Sequence, residues 1–276
     1  MFETLVISGG STKGFLAIGA LHYIEHIKKL DSIKNFYGTS VGSMISLLIA
    51  VGYKPIDLVS MFQKTRFAVN PLLSKIDCQV IDYEGIMARF EGFFTEKAGR
   101  LLTLSEFYKR YKKNLFFITF NYSKGEMEVL SRFSFPEMQC THAVKLSCAI
   151  PFLFKKCIYN SDLYVDGGFA NNFPVDIAVK FKKENERILA LKIDSEWTGS
   201  SKDNCLAVME NIFFAPIILK MKENAERFRD QCLLIDLVSN LNPFSFGIDV
   251  RVVVGMLNEG YEEAKNRLTA DCTLEN

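Results

Sequence analysis

Two copies of one local pattern restrict this chain's fold more than any other feature: a short apolar strand, a glycine turn, then a buried helix, all within the first 51 residues. Thr4–Ser8 is an apolar run bounded by glycines, as suits a strand covered on both faces. Gly9–Gly14 follows, and Phe15 to Lys29 then carries Leu16, Ala20, Tyr23, Ile24 and Ile27 at helical spacing. Ile33–Tyr37 repeats the strand and Gly38 ends it; Val41–Val51 is apolar nearly all round and belongs in an interior. This alternation predicts an α/β fold with a central, mostly parallel sheet flanked by helices.

Later segments extend the pattern. Between Lys54 and Lys113 no strand is convincing, and Asn70-Pro71, Gly92 and Gly99 interrupt helical stretches, so residues 54–113 read as a helical insertion. Leu115–Asn121 and Met127–Ser131 return to strand, and Thr141–Ala149 is a short helix stopped at Pro151. Asn160-Ser161-Asp162 supplies a hairpin turn between Cys157–Tyr159 and Leu163–Val165. Arg187–Asp194 is a core strand, and Cys232–Leu237 the last one. The C-terminal part, 203–270, is mainly helical: Asp203 caps a long helix that Pro216 is expected to break. Asp249 caps a final one, with Val250, Val253, Val254, Leu257, Tyr261, Ala264 and Leu268 on one face. With no repeat or linker in view, 1–276 reads as a single domain whose core motifs lie in 1–195.

Composition excludes several classes. Hydrophobic residues make up 49% and charged ones 24%, the balance of a folded globular protein rather than a disordered one. Lys and Arg number 33 against 32 Asp and Glu, a net charge of +1, which argues against binding nucleic acid through its phosphates. Seven scattered cysteines without a C-x-x-C pair indicate neither a zinc knuckle nor a disulfide framework. His22 and His26 lie four apart on the first helix, but no third ligand is well spaced, so no metal is expected. The N-terminus lacks a basic leader, and Val41–Gly52 is too short to cross a bilayer, so a soluble, cytoplasmic protein is expected.

The sharpest chemical signal is Gly38-Thr39-Ser40-Val41-Gly42. A G-x-S-x-G turn between a strand and a buried helix thrusts its serine above the sheet edge, at a helix N-terminus that favours negative charge. The plainer role for Ser40 is a helix cap. A second signal is Gly9-Gly10-Ser11-Thr12-Lys13-Gly14. It lacks the Lys-Ser/Thr of a P-loop, because Phe15-Leu16 follows Gly14, and a dinucleotide fingerprint would put glycine at Ser11. A backbone cradle for an anion remains, fit for a phosphate or an oxyanion.

A nucleophilic serine needs a base, and the histidine count bears on it. The α/β-hydrolase order ends on histidine, yet the 134 residues after His142 contain none. His142 itself is one candidate, in an unfamiliar order. Asp166 is the other, in Asp166-Gly167-Gly168-Phe169-Ala170-Asn171-Asn172-Phe173-Pro174, where the plainer role is an Asx turn.

Taken together, Gly9–Gly14, Gly38–Gly42 and Asp166-Gly167-Gly168 with Asn171 and Pro174 resemble the patatin-like phospholipase family, as does Ser147-Cys148-Ala149-Ile150-Pro151-Phe152. The likeness runs from residue 1 to about 195. It departs at Ser11, where the family often has a third glycine. The resemblance implies a three-layer α/β/α fold and a Ser–Asp dyad related to that of the cytosolic phospholipase A2 catalytic domain. Ser40 would be the nucleophile, Asp166 its base, and the backbone at Gly10, Ser11 and Thr12 an oxyanion hole, with Lys13 fixing that loop or meeting a headgroup phosphate. Asn171 and Pro174 would shape a loop. The implied substrate is a phospholipid or other lipid ester, with no cofactor. Phe93-Phe94, Phe152, Phe154 and Ile212–Phe214 are candidates for an acyl channel or a peripheral membrane contact, and Lys155-Lys156 and Lys109–Lys113 for anionic headgroups. A nucleotide-binding enzyme and a non-catalytic lipid-binding member of the same fold are the alternatives.

Overall fold

Leu5 and Ile7 point into one hydrophobic core and Val6 into another, which places the first strand in the middle of a sheet covered on both faces. The computed structural model describes residues 1–64, 82–151, 153–194, 205–239, 241 and 248–274. Its first half runs β1 (Thr4–Ile7), α1 (Gly14–His26), β2 (Asn35–Thr39), α2 (Val41–Val51), α3 (Pro55–Lys64), α4 (Tyr83–Ala98), α5 (Leu104–Tyr111), β3 (Asn114–Asn121) and β4 (Glu126–Ser131). Then follow α6 (Cys140–Ser147), β5 (Cys157–Tyr159), β6 (Asp162–Asp166), α7 (Gly168–Asn171), α8 (Val175–Phe181), β7 (Ile188–Asp194), α9 (Cys205–Arg227), β8 (Leu233–Val238) and α10 (Val250–Leu274).

The described residues form an eight-stranded sheet in the order β5-β6-β3-β2-β1-β7-β8, with β4 also on β3. β3, β2, β1, β7 and β8 pair in parallel, while β4, β5 and β6 add antiparallel pairings. Residues alternate between the two cores along β7: Leu189 and Leu191 face the side of α1, α2 and α10, and Ile188 and Ala190 that of α8 and α9. The result is a mostly parallel sheet, as the strand–helix alternation predicts, in three α/β/α layers, as the resemblance implies. The helical insertion is α3, α4 and α5. The starts of α4 and α5 are set locally: Asp82 accepts from Gly85 N–H at 3.0 Å, and Thr103 with Glu106 forms a capping box.

Two expectations for the C-terminal part need correcting. Pro216 does not break α9, which continues for 23 residues. The bond it removes belongs to the carbonyl of Ile212, a residue 65% exposed, where water can take its place. In α10, Val250 and Val254 face solvent, and the buried seam passes through Val253, Met256, Ala264 and Leu268. The close crossing with α1 decides the rotation: any Cβ on Gly260 would meet Leu16 O at 2.0 Å, and one on Gly19 would meet Leu257 O at 2.1 Å. Asp249 does cap α10, accepting from Arg251 N–H at 2.7 Å, whereas Asp203 lies outside the described residues.

Candidate active site

β3 is the strand that assembles the site. β4 pairs along Phe116–Asn121 on one edge, so β2 and β6 must share the other. β2 runs parallel to β3 and ends with Thr39 opposite Ile118; β6 runs antiparallel and ends with Asp166 opposite Thr119. The C-terminal ends of β2 and β6 therefore meet head-on at adjacent registers. Ser40 leaves the sheet from one and Asp166 closes the other. The approach is tight enough that a Cβ on Gly167 would sit 2.1 Å from Ile118 O.

Ser40 takes φ 53°, ψ −127°, a positive-φ conformation that costs a non-glycine residue of order 1–3 kcal/mol and is held by its surroundings. Its N–H donates to Ser147 Oγ at 3.1 Å, and its carbonyl accepts from Ser43 N–H at 2.8 Å and Ser43 Oγ at 2.6 Å. A Cβ on Gly42 would strike Ile7 O at 2.3 Å, so this glycine lets α2 start directly against the end of β1. Gly38 is packed in the same way against the backbone of Gly42 and Ser43. Thr39 Oγ1 donates to Asn171 O at 2.9 Å, tying the elbow to the loop after Asp166. Val41 opens α2 and lines the cleft beside Ser40.

Asp166 is 5% exposed. Its Oδ1 accepts Gly168 N–H at 2.7 Å, while Oδ2 is buried without a formed hydrogen bond. Burial pushes the carboxyl up to about 6; the Ser40 hydroxyl, within reach but short of a formed bond, and the Gly168 N–H pull it back. A buried carboxylate with one unused oxygen next to a serine can take that serine's proton. His142 faces Tyr159 at 5.2 Å between ring centroids and takes no hydrogen bond from Ser40 or Asp166. Burial lowers its pKa, and Lys145 lowers it further.

The loop from Gly9 to Gly14 lies across from this pair. Gly9 N–H donates to Asn172 O at 3.0 Å, and Ser11–Lys13 forms a single 3₁₀ turn. Among the described residues, the N–H groups of Gly10 and Ser11 have no protein acceptor. Ser11 sits at φ 48°, in the left-handed region where glycine is at home, which gives a physical reason for glycine in the resembled pattern. Ser11, Thr12 and Gly14 line the same cleft as Ser40. Lys13 points away, 2% exposed, its Nζ 3.5 Å from Ser239 O. Burial pushes its ammonium down to about 8, against the pull of Asp194. Of its two expected roles, this position fits fixing the loop.

Asn171 and Pro174 both stand in the segment that follows Asp166. Asn171 donates to Asp176 Oδ1 at 2.7 Å and accepts from Asn224 at 3.3 Å, and Pro174 caps α8. Sequence reasoning missed three contributors. Ser147 holds the Ser40 N–H; Asn172 donates to Gly9 O at 3.3 Å; and α3 and α4 wall the cleft with Phe62, Tyr83, Ile86 and Met87. Only the position of Ser147 just before Cys148-Ala149-Ile150-Pro151 gave a signal. Of the aromatic candidates, Phe154 lines the cleft, stacked on Tyr83 at 4.2 Å, and Phe93 a smaller space behind it. Phe94 is fully buried near Phe107, Phe213 packs on Phe169, and Phe152 lies outside the described residues. Among the described residues, no helix is long and apolar enough to cross a membrane.

Known proteins match this arrangement. The family model described as patatin-like phospholipase matches residues 5–179, which include Ser40, Asp166 and both glycine turns. A "probable lipid hydrolase 463L" of Invertebrate iridescent virus 6 is 31% identical over 203 residues, covering 69% of each chain. An uncharacterized protein, R571, of Acanthamoeba polyphaga mimivirus is 22% identical over 96% of this chain and 93% of its own. In fold, the chain is similar to VipD from Legionella pneumophila, with a TM-score of 0.64 at 14% identity over 98% of this chain and 67% of that one. ExoU from Pseudomonas aeruginosa gives 0.57 at 15% identity, over 98% of this chain and 52% of its own. The chain belongs to the patatin-like phospholipase family.

Proposed function

We propose that this protein is a lipid acyl hydrolase of the phospholipase A or lysophospholipase type, working through an acyl-enzyme on Ser40. The observation that carries the reading is the buried, half-satisfied Asp166 carboxylate set head-on against the strand end that presents Ser40. Asp166 Oδ2 takes the hydroxyl proton as Ser40 Oγ bonds to the ester carbonyl carbon. The carbonyl electrons move onto oxygen, which the N–H groups of Gly10 and Ser11, with Thr12, receive. Collapse breaks the ester C–O bond, and the departing alcohol leaves with the proton held by Asp166. Water then repeats the sequence, giving its proton to Asp166 and releasing the fatty acid, while Ser40 regains its hydrogen.

Family membership and the apolar walls of the cleft support a lipid ester as substrate, in line with the name borne by the iridescent-virus relative. Contact with a lipid surface is part of the same proposal. Lys155 and Lys156, both exposed, follow Phe154 at the cleft, and they would meet anionic headgroups.

Ester hydrolysis and labelling by a fluorophosphonate probe test the dyad. Ser40→Ala and Asp166→Asn, each folded by circular dichroism, should lose at least about 1000-fold in kcat/KM, and Ser40→Ala should lose the label. Retained activity in either variant, or its loss in folded His142→Ala, contradicts the dyad. Hydrolysis no faster on vesicles than on monomeric ester contradicts the surface contact.

A further inference from the structure

The cleft at Ser40 does not end blindly; it abuts a second apolar space. The cleft has a free volume of about 100 Å³, and the inner space, farther from Ser40 but no more enclosed than the cleft, about 10 Å³, room for roughly one water. Met44, Phe62 and Ile86 line both. Beyond them the inner space is walled by Leu48, Met61 and Phe93 among others. Val41, Met44 and Leu48 stand on one stripe of α2, so the two spaces follow each other along this helix away from the serine. From Val41 to Leu48 the helix rises roughly 10 Å.

We infer that Met44, Phe62 and Ile86 form the partition that sets acyl-chain length: a chain bound at Ser40 stops against them, and a longer one must displace them to enter the inner space. The inference rests on the acyl-hydrolase reading above. Three observations support it. The partition lies on the axis leaving the nucleophile. Every named wall residue beyond it is apolar, so the space suits methylenes and offers no partner to a headgroup. Met44 and Met61 are unbranched and adapt their shape, so the partition can yield.

The test measures kcat/KM on butanoyl, octanoyl and hexadecanoyl esters. The wild type should favour octanoyl over hexadecanoyl. Phe62→Ala should raise the hexadecanoyl-to-octanoyl ratio at least tenfold, since each newly buried methylene brings about fourfold, equivalent to ~0.8 kcal/mol. Adding Phe93→Trp, which narrows the inner space from a half-buried position, should cancel that gain. If Phe62→Ala fails to fold, Phe62→Leu should shift the ratio in the same direction by less. A ratio that does not move, or a gain that survives Phe93→Trp, overturns the partition. A wild type that hydrolyses none of the three esters would instead overturn the acyl-hydrolase reading itself, and butanoyl hydrolysis that survives Ser40→Ala would overturn Ser40 as its nucleophile.

Discussion

As the proposed base, Asp166 would meet opposing demands on one carboxyl group. A base must be basic enough to accept a serine proton yet ionised at working pH, and a value of about 6 meets both where the usual 3.8 would not. The kcat/KM profile for ester hydrolysis should therefore rise with pH to a plateau, with its acidic limb centred near about 6; a limb near about 4 would show a solvated carboxyl instead. The same burial weakens the fold. Because the folded-state pKa is raised, the folded protein holds this proton more tightly than the unfolded chain does. The contribution of Asp166 is then most favourable below about 4 and is lost as pH rises through about 6. Asp166→Asn should accordingly be more stable than wild type at pH of about 8, by on the order of 2 kcal/mol in urea unfolding, with the gap closing as pH falls toward about 4. An equal gap at both ends of that range contradicts the assignment.

Elements, rather than single residues, decide whether the pair meets. Gly167 lies where β6 turns away beneath the end of β2, and Gly167→Ala would force a methyl to 2.1 Å from Ile118 O. β6 must then retreat and carry Asp166 with it. The expected loss is about 100-fold in kcat/KM with secondary structure preserved by circular dichroism; full activity would show that the junction tolerates slack. The same scale explains what the sequence made legible. Ser40 could be read from its neighbours because strand, tight turn and buried helix are all local. Asp166 could be singled out but not paired with Ser40 from spacing alone, since their meeting depends on β2 and β6 sharing one edge of β3. Ser147 and Asn172 act through hydrogen bonds to segments more than 100 residues away, which leave no periodic trace. The described residues of the insertion are largely helical, but nothing in its pattern revealed that Phe62 and Tyr83 return to the cleft. Pro216 misled because its breaking tendency is local, whereas α9 is held by contacts such as Asn224 to Phe173 O at 3.1 Å.

Across the whole molecule, the charges of β7 and β8, with Lys192 and Asp194 buried and Asp236 exposed, tie the sheet to the glycine loop. Lys192 Nζ lies 3.0 Å from both Asp194 Oδ2 and Asp236 Oδ2, and Asp194 also acts on Lys13 in the loop. Lys192→Met should cost about 3 kcal/mol in urea unfolding, because Asp194 stays buried without that partner. A change below about 0.5 kcal/mol would mean that the pair is solvated and structurally idle. The meeting of β2 and β6 on β3 has a further consequence, for the order in which the protein is made. Synthesis delivers the elbow and the glycine loop long before Asp166 emerges, so a nascent chain carries its serine for well over 100 residues without the proposed base. Only when β6 docks beside β2 is the reagent complete. On the proposed dyad, ester hydrolysis would thus begin only after the last of its strands has joined the sheet.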